Sequence, residues 1–203
     1  MRFYLFLLIS LHFNSLFSQD SSYLKVHFLY GSKPLKAYKN EPKWFGGILG
    51  GHVGLESDSG KILNFLFVEK FHIFPKKKHK TGAYVLYSSA QFYGYFGGNP
   101  DAVKKATVLV PISKQQKMQF DGITESYLKT TPYDYALFGI RCGAASYEVL
   151  GQLGILPKYT FGKTKRTIIY PRKLRKRLLK KATENGWTID RKQGSDRRKW
   201  EKD

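Results

Sequence analysis

The only cysteine of the chain, Cys142, lies in a stretch whose residue types fit a reactive thiol. Small residues follow at 143–146, and an apolar face at helical spacing over 147–153 predicts a helix of three turns that ends at Gly154. Cys142 would then lie in the first turn, where unpaired backbone N–H groups and the positive end of the helix dipole stabilise a thiolate. It is therefore a candidate nucleophile. The alternative is a buried structural cysteine, since free cysteine is among the most buried residue types.

A thiol performs acyl transfer when a histidine takes and returns its proton and a third polar group holds the imidazole. His52 fits this role best, because four glycines precede it and a predicted strand carries it. Asn64 lies twelve positions further on, across a predicted turn at 57–60, so hairpin pairing would bring its amide beside the ring. The alternative for Asn64 is a solvent-facing residue on an edge strand. The other histidines lie in a predicted leader, among apolar residues or in a lysine run: His12, His27, His72 and His79.

The elements that would position these residues follow an α+β order, with strands first and helices mostly later. Strands are predicted over 23–30, 52–56, 61–68, 82–87 and 106–112, and helices over 113–129, 142–153 and 172–181. On the first helix, Met118, Ile123 and Tyr127 are expected to face the core. The aromatic, glycine-rich stretch 92–98 is expected to be a loop.

Length and charge bound the class of protein. The 203 residues suffice for one domain with a substantial core, and the formal charge of +20 favours polyanionic partners. The uncharged run at 3–17 is too short and too interrupted to cross a membrane, and it is typical of a secretory signal peptide. We therefore predict a signal peptide at 1–18, a catalytic domain at 19–162, a basic C-terminal helix and tail at 163–203, and a secreted or periplasmic location.

Together these motifs resemble the circularly permuted NlpC-type branch of the papain-like superfamily, which includes lecithin:retinol acyltransferase-like proteins and bacterial envelope cysteine hydrolases. The resemblance covers roughly residues 50–153, from Gly-Gly-His52-Val-Gly-Leu to the helix that follows Cys142. It implies a papain-like fold, in which a small antiparallel sheet packs against the helix that carries the cysteine. It also implies Cys142 as nucleophile, His52 as base and Asn64 as third member, with His52 and Cys142 as an ion pair and Tyr135 as the family's upstream tyrosine. Two departures are Arg141, where relatives often carry Asn or Asp, and Asn64, which replaces a commoner His or acidic residue.

The resemblance implies a hydrolase that cleaves amide or ester bonds of envelope substrates through an acyl-enzyme, with peptidoglycan peptides as first choice. Tyr135, Arg141 and Trp44 are the expected substrate contacts, and neither a metal ion nor a cofactor is expected. Expected partners are an anionic envelope polymer or lipid surface and a peptide or acyl substrate, without specific nucleic-acid recognition. Two alternatives remain: a non-catalytic polyanion-binding envelope protein, and an acyltransferase acting on phospholipids. The cationic helix 172–181 either docks on the core through its leucines or adds attraction to anionic surfaces.

Overall fold

The computed structural model describes residues 22–41, 50–78, 80–95 and 101–203. The predicted signal peptide and the expected substrate contact Trp44 lie outside these ranges, as do His12 and His79. In the described residues the fold is α+β, as predicted, with a six-stranded antiparallel sheet and five α-helices. Within these ranges no helix combines the length and the apolar character needed to cross a membrane.

The six-stranded sheet has the order β5-β4-β3-β1-β6-β7, and β2 pairs with β8 in a separate small sheet. All pairs are antiparallel. The strands are β1 (Ser22–Leu29), β2 (Ser32–Pro34), β3 (His52–Glu56), β4 (Lys61–Phe67), β5 (Gly82–Ser88), β6 (Lys105–Ile112), β7 (Ile189–Lys192) and β8 (Arg198–Trp200). The five strands predicted from the sequence are confirmed, whereas the short strands β2, β7 and β8 were not predicted.

The helices are α1 (Ser89–Tyr95), α2 (Lys114–Lys129), α3 (Cys142–Gln152), α4 (Phe161–Thr167) and α5 (Pro171–Glu184). The prediction of a loop over 92–98 is wrong for its first part, because Phe92 and Tyr93 are buried residues of α1. The predicted helix that begins with Cys142 is confirmed as α3.

Successive side chains of a strand point to opposite faces, and the two faces of the sheet meet different helices. One face contributes residues such as Val26, Val53 and Leu55 to the main core, which includes Ala145 of α3 and Leu174 of α5. The other face packs against α1 in a smaller cluster formed by Leu29, Ile62, Phe92, Tyr93 and Val103. The sheet is thus covered on both sides at β3, the strand that begins with His52.

Helix α2 begins with a capping box, in which the Ser113 side chain and the Gln116 side chain each bond the other residue's backbone N–H. The prediction that Met118 faces the core is wrong, since its side chain is 61% exposed. Phe120 is buried instead, and Ile123 and Tyr127 pack against the main core as predicted. Phe120, Ile123 and Tyr127 are spaced three and four residues apart and therefore form one stripe, which Met118 does not share.

Residues 163–203 pack against the rest of the described chain. Helix α5 starts with Pro171 in its first turn and buries Leu174, Leu178 and Leu179, as the leucine stripe predicted. Strand β7 then joins the main sheet beside β6. The fully buried Arg175 pairs with Glu201 at 2.6 Å, so the polar end of the sequence carries a partner for a charge inside the core.

Candidate functional site

The site is built at the first residues of β3. Gly51, immediately before His52, has a φ of 83°, a conformation that side-chain-bearing residues rarely adopt. A Cβ at this position would also overlap the carbonyl oxygen of Leu29 on the neighbouring strand β1. Glycine at 51 is therefore needed to bring the chain into β3 at the angle that places His52.

The β3–β4 hairpin brings His52 and Asn64 together, as the sequence predicted. Asn64 is paired with Gly54, two residues after His52, so the two side chains are diagonal neighbours on one face. His52 Nε2 lies 3.2 Å from Asn64 Oδ1. The alternative of a solvent-facing Asn64 is wrong, since the residue is 1% exposed.

The orientation of the Asn64 amide sets the tautomer of the neutral imidazole. Asn64 Nδ2 donates to the carbonyl oxygens of Ile62 and Val85, at 3.3 Å and 3.2 Å. Oδ1 must therefore face the ring, and an acceptor at this place requires the proton of neutral His52 on Nε2. The other ring nitrogen, Nδ1, then carries a lone pair, which is the form that a general base needs.

Burial dominates the protonation of His52. The residue is 2% exposed, and its ring centroid lies 5.4 Å from that of Phe92. Desolvation lowers the pKa of His52 to about 4, although the hydrogen bond to Asn64 acts in the opposite direction. The imidazole is therefore neutral across the physiological pH range.

Cys142 is the first residue of α3, and Arg141 is its N-cap. Polar interactions with the backbone N–H groups of Gly143 and Val53 and with the Tyr135 hydroxyl act to lower the pKa of its thiol. Because the Val53 amide nitrogen belongs to the peptide bond that links it to His52, the sulfur lies against the backbone of the candidate base. The side chains of Cys142 and His52 nevertheless lie toward opposite faces of the sheet. Cys142 belongs to the core cluster that contains Val53, whereas the His52 ring contacts Phe92 of the other cluster.

The thiol is nevertheless held in its neutral form. Cys142 is 3% exposed, and burial raises its pKa to about 11, against the smaller lowering effects of the Arg141 charge and the three hydrogen-bond donors. Burial therefore favours a neutral thiol and a neutral imidazole in this conformation. This resting state differs from the ion pair that the family resemblance implies.

The two remaining expected substrate contacts within the described residues have distinct environments. Tyr135 is buried, desolvation raises its pKa well above its usual value, and its hydroxyl is directed to the Cys142 sulfur. Arg141 is only partly buried. Its guanidinium donates to the carbonyl oxygen of Ile169 and lies 4.7 Å from the ring centroid of Tyr170.

His27 and His72 are buried histidines with carboxylate partners, as expected for core residues. His27 Nε2 lies 2.8 Å from Glu56, and its Nδ1 lies 2.7 Å from the Tyr93 hydroxyl, so both ring nitrogens are occupied. His72 Nδ1 lies 2.7 Å from Asp134, a buried carboxylate that sequence reasoning did not single out. The only sequence signal for Asp134 is a charged residue between two tyrosines ahead of the cysteine helix.

Comparison with known proteins assigns no family. No family model matches the chain, and no curated protein matches it. A solved structure described as a Type VI secretion system effector, TseH, is similar with a TM-score of 0.39 and 8% identity, over 73% of this chain and 88% of that chain. A likeness at this level assigns neither a family nor a function to the protein.

Proposed function

We propose that the protein is a cysteine hydrolase that cleaves amide or ester bonds through an acyl-enzyme on Cys142. The observation that carries the proposal is the hydrogen bond of 3.2 Å between His52 Nε2 and Asn64 Oδ1, which fixes the imidazole with its basic nitrogen unprotonated. The thiol at the first residue of α3 lies against the backbone of that same histidine. The proposed catalysis requires the Cys142 thiol and His52 Nδ1 to come into contact at the start of β3.

Because burial keeps both groups neutral, His52 acts as a general base during the attack. The Cys142 thiol gives its proton to His52 Nδ1 as the sulfur bonds to the substrate carbonyl carbon, so the two charges develop only in the transition state. His52 then protonates the leaving amine or alcohol, and the acyl group stays on sulfur. Water adds to the thioester with His52 as base, which releases the acid and restores the thiol.

The backbone N–H of Cys142, at the N-terminus of α3, is the proposed oxyanion donor. Tyr135 positions the sulfur through its hydroxyl, which makes it a positioning residue instead of the substrate contact expected from the sequence. Arg141 remains the proposed substrate contact, because it is partly exposed beside the nucleophile. The proposed substrates are peptidoglycan peptides first and acyl esters of lipids second, in a secreted or periplasmic setting.

The test is product formation from two substrate classes. Purified peptidoglycan sacculi and mixed phospholipids are incubated separately with the protein, and new products are sought by mass spectrometry. Cys142→Ala should abolish turnover, and His52→Gln and Asn64→Ala should lower it strongly. Ser146→Ala is the matched control, because Ser146 is a buried polar residue one turn further along the same helix. Turnover that survives Cys142→Ala would exclude the proposal, and the cleaved bond identifies the substrate class.

A second candidate function is a non-catalytic envelope protein that binds polyanions. It is favoured by the burial of both Cys142 and His52, at 3% and 2% exposure, together with the net charge of +20. This candidate predicts salt-sensitive binding to wall polymers or anionic vesicles, without turnover of either substrate. Binding should then be the same for the parent chain and for Cys142→Ala.

A further inference from the structure

Two loops next to the site present large apolar side chains to solvent. Ile73, Phe74, Leu137 and Phe138, hereafter the apolar tip, are 58%, 67%, 38% and 59% exposed. The rings of Phe74 and Phe138 stack with their centroids 5.3 Å apart. The two loops are joined by backbone hydrogen bonds of 2.9 Å, one of them from Phe138 N–H to the Ile73 carbonyl oxygen. The four side chains therefore form one continuous surface.

The buried carboxylate of Asp134 holds the loop that carries Ile73 and Phe74 in place. Asp134 is 2% exposed and pairs with His72 at 2.7 Å. The same carboxylate accepts hydrogen bonds from the backbone N–H groups of Lys76 and Thr81, at 2.9 Å and 2.8 Å. A buried carboxylate therefore holds the loop on both sides of Ile73 and Phe74, at His72 and at Lys76.

A groove of about 550 Å³ adjoins the tip. It is lined by Leu137, Phe138, Lys165, Arg166, Ile169 and Tyr170. Arg141, which directly precedes Cys142 in the chain, contacts two of these lining residues, Ile169 and Tyr170. The groove therefore adjoins the apolar tip on one side and Arg141 on another.

The charges within residues 70–80 and 158–173 have one sign. Lys76, Lys77 and Lys78 follow Phe74 closely and are exposed, and Lys165 and Arg166 line the groove. No Asp or Glu occurs in residues 70–80 or 158–173, which supply these cations. The surface therefore combines a projecting apolar centre with a cationic rim.

We propose that this surface docks onto an anionic lipid bilayer, with the apolar tip inserted at the headgroup boundary and the lysines in contact with lipid phosphates. Contiguous exposed apolar side chains mark interaction sites, and apolar insertion combined with attraction of basic residues is how proteins bind membrane interfaces. A soluble wall polymer would satisfy the lysines but would leave the four apolar side chains in water. The proposal does not depend on the thiol, so Cys142→Ala retains docking.

A pair of tryptophan variants tests insertion at the tip itself. Phe74→Trp places an indole on the tip, and Met118→Trp places one at an equally exposed position on α2. Each full chain is mixed with vesicles of phosphatidylcholine and phosphatidylglycerol that carry brominated acyl chains, and the parent spectrum is subtracted. We expect quenching of the tryptophan at 74 and none at 118. Equal quenching at both positions, or none at 74, would overturn the proposal.

Partition measurements with the same vesicles provide a second test. The double variant Phe74→Ser with Phe138→Ser should lower the partition coefficient at least about tenfold, because two large apolar side chains leave the bilayer boundary. The matched control is Met118→Ser with Leu128→Ser, two exposed apolar residues of α2, and it should bind like the parent. Membrane docking would be refuted if the variant at 74 and 138 bound as well as the parent and a soluble polyanion displaced both. That result would identify a polymer as the partner.

Lysine replacements distinguish binding through this surface from binding through the basic helix α5. Replacing the lysines at 76–78 with glutamine should weaken binding to the anionic vesicles and flatten its dependence on salt. Replacing the exposed lysines of α5 at 173, 176 and 180 with glutamine removes the same charge elsewhere, and it should have the smaller effect. If the α5 variant loses as much affinity for the vesicles as the variant at 76–78, the attraction arises from the net charge of the protein. The assignment of binding to this surface would then be wrong.

Discussion

The alkylation rate of Cys142 as a function of pH provides the sharpest test of the site. Burial raises the pKa of this thiol to about 11. At pH 7 the ionised fraction is then roughly one in ten thousand, compared with about three in a hundred for an ordinary thiol of pKa near 8.5. Because only the thiolate attacks iodoacetamide, we expect alkylation of the native protein to be on the order of 300-fold slower than that of an exposed cysteine.

An exposed cysteine placed elsewhere in the same protein provides the reference rate for this measurement. Met118→Cys in a Cys142→Ala background places a single thiol on an exposed position of α2, where the parent side chain is 61% exposed. Both proteins are treated with iodoacetamide from pH 6 to pH 10, and the labelled fraction is followed by intact mass. The rate at 118 should level off above pH 9, whereas the rate at Cys142 should still be rising at pH 10.

A fast reaction at pH 6 would refute the neutral resting pair. If Cys142 reacts faster than the cysteine at 118 there, the thiol is already ionised, and the ion pair implied by the family resemblance is the true resting state. Slow labelling supports general-base catalysis or the non-catalytic candidate, and the turnover assays separate those two.

Three further predictions concern stability. The pKa of His52 is lowered from 6.5 to about 4, so the unfolded chain binds more protons than the native chain between these pH values. As the pH falls from 6.5 to 4, the free energy of unfolding of the parent should decrease by about 3 kcal/mol more than that of His52→Gln, as measured by urea unfolding. Glu201→Ala removes the buried partner of Arg175 and leaves only the more exposed Asp203, so it should cost up to about 3 kcal/mol in urea unfolding. Arg191→Ala breaks a partly exposed pair and should cost about 1 kcal/mol or less. Ser113→Ala removes the cap of α2 and should lower the thermal midpoint by the equivalent of about 1 kcal/mol; an unchanged midpoint would contradict the role of the capping box.

The elements that depend on local sequence could be predicted. The β3–β4 hairpin connects strands that are neighbours in the chain, so its turn and its alternation sufficed to place Asn64 beside His52. The helix that begins with Cys142 followed from small residues and an apolar face, and the leucines of α5 correctly indicated the buried side of that helix.

The elements that depend on distant partners could not be predicted. Strand β7 pairs with β6 although some eighty residues separate them, and its sequence is polar because it lies at the edge of the sheet. The burial that keeps Cys142 and His52 neutral arises from packing of α3 and α1 on opposite faces of the sheet, and no spacing in the sequence reports it. The exposed tip is likewise invisible in the sequence, where Phe74 and Phe138 are more than sixty residues apart.

The pairing of Arg175 with Glu201 has a practical consequence for anyone who produces this protein. Glu201 Oε1 also accepts a hydrogen bond from the Gly31 backbone N–H, and Asp203 lies 3.0 Å from Arg175, so residues 201–203 join α5 to the end of β1. Trimming these residues as a dispensable polar tail would strand a cation in the interior. We therefore expect versions that lack residues 201–203 to aggregate.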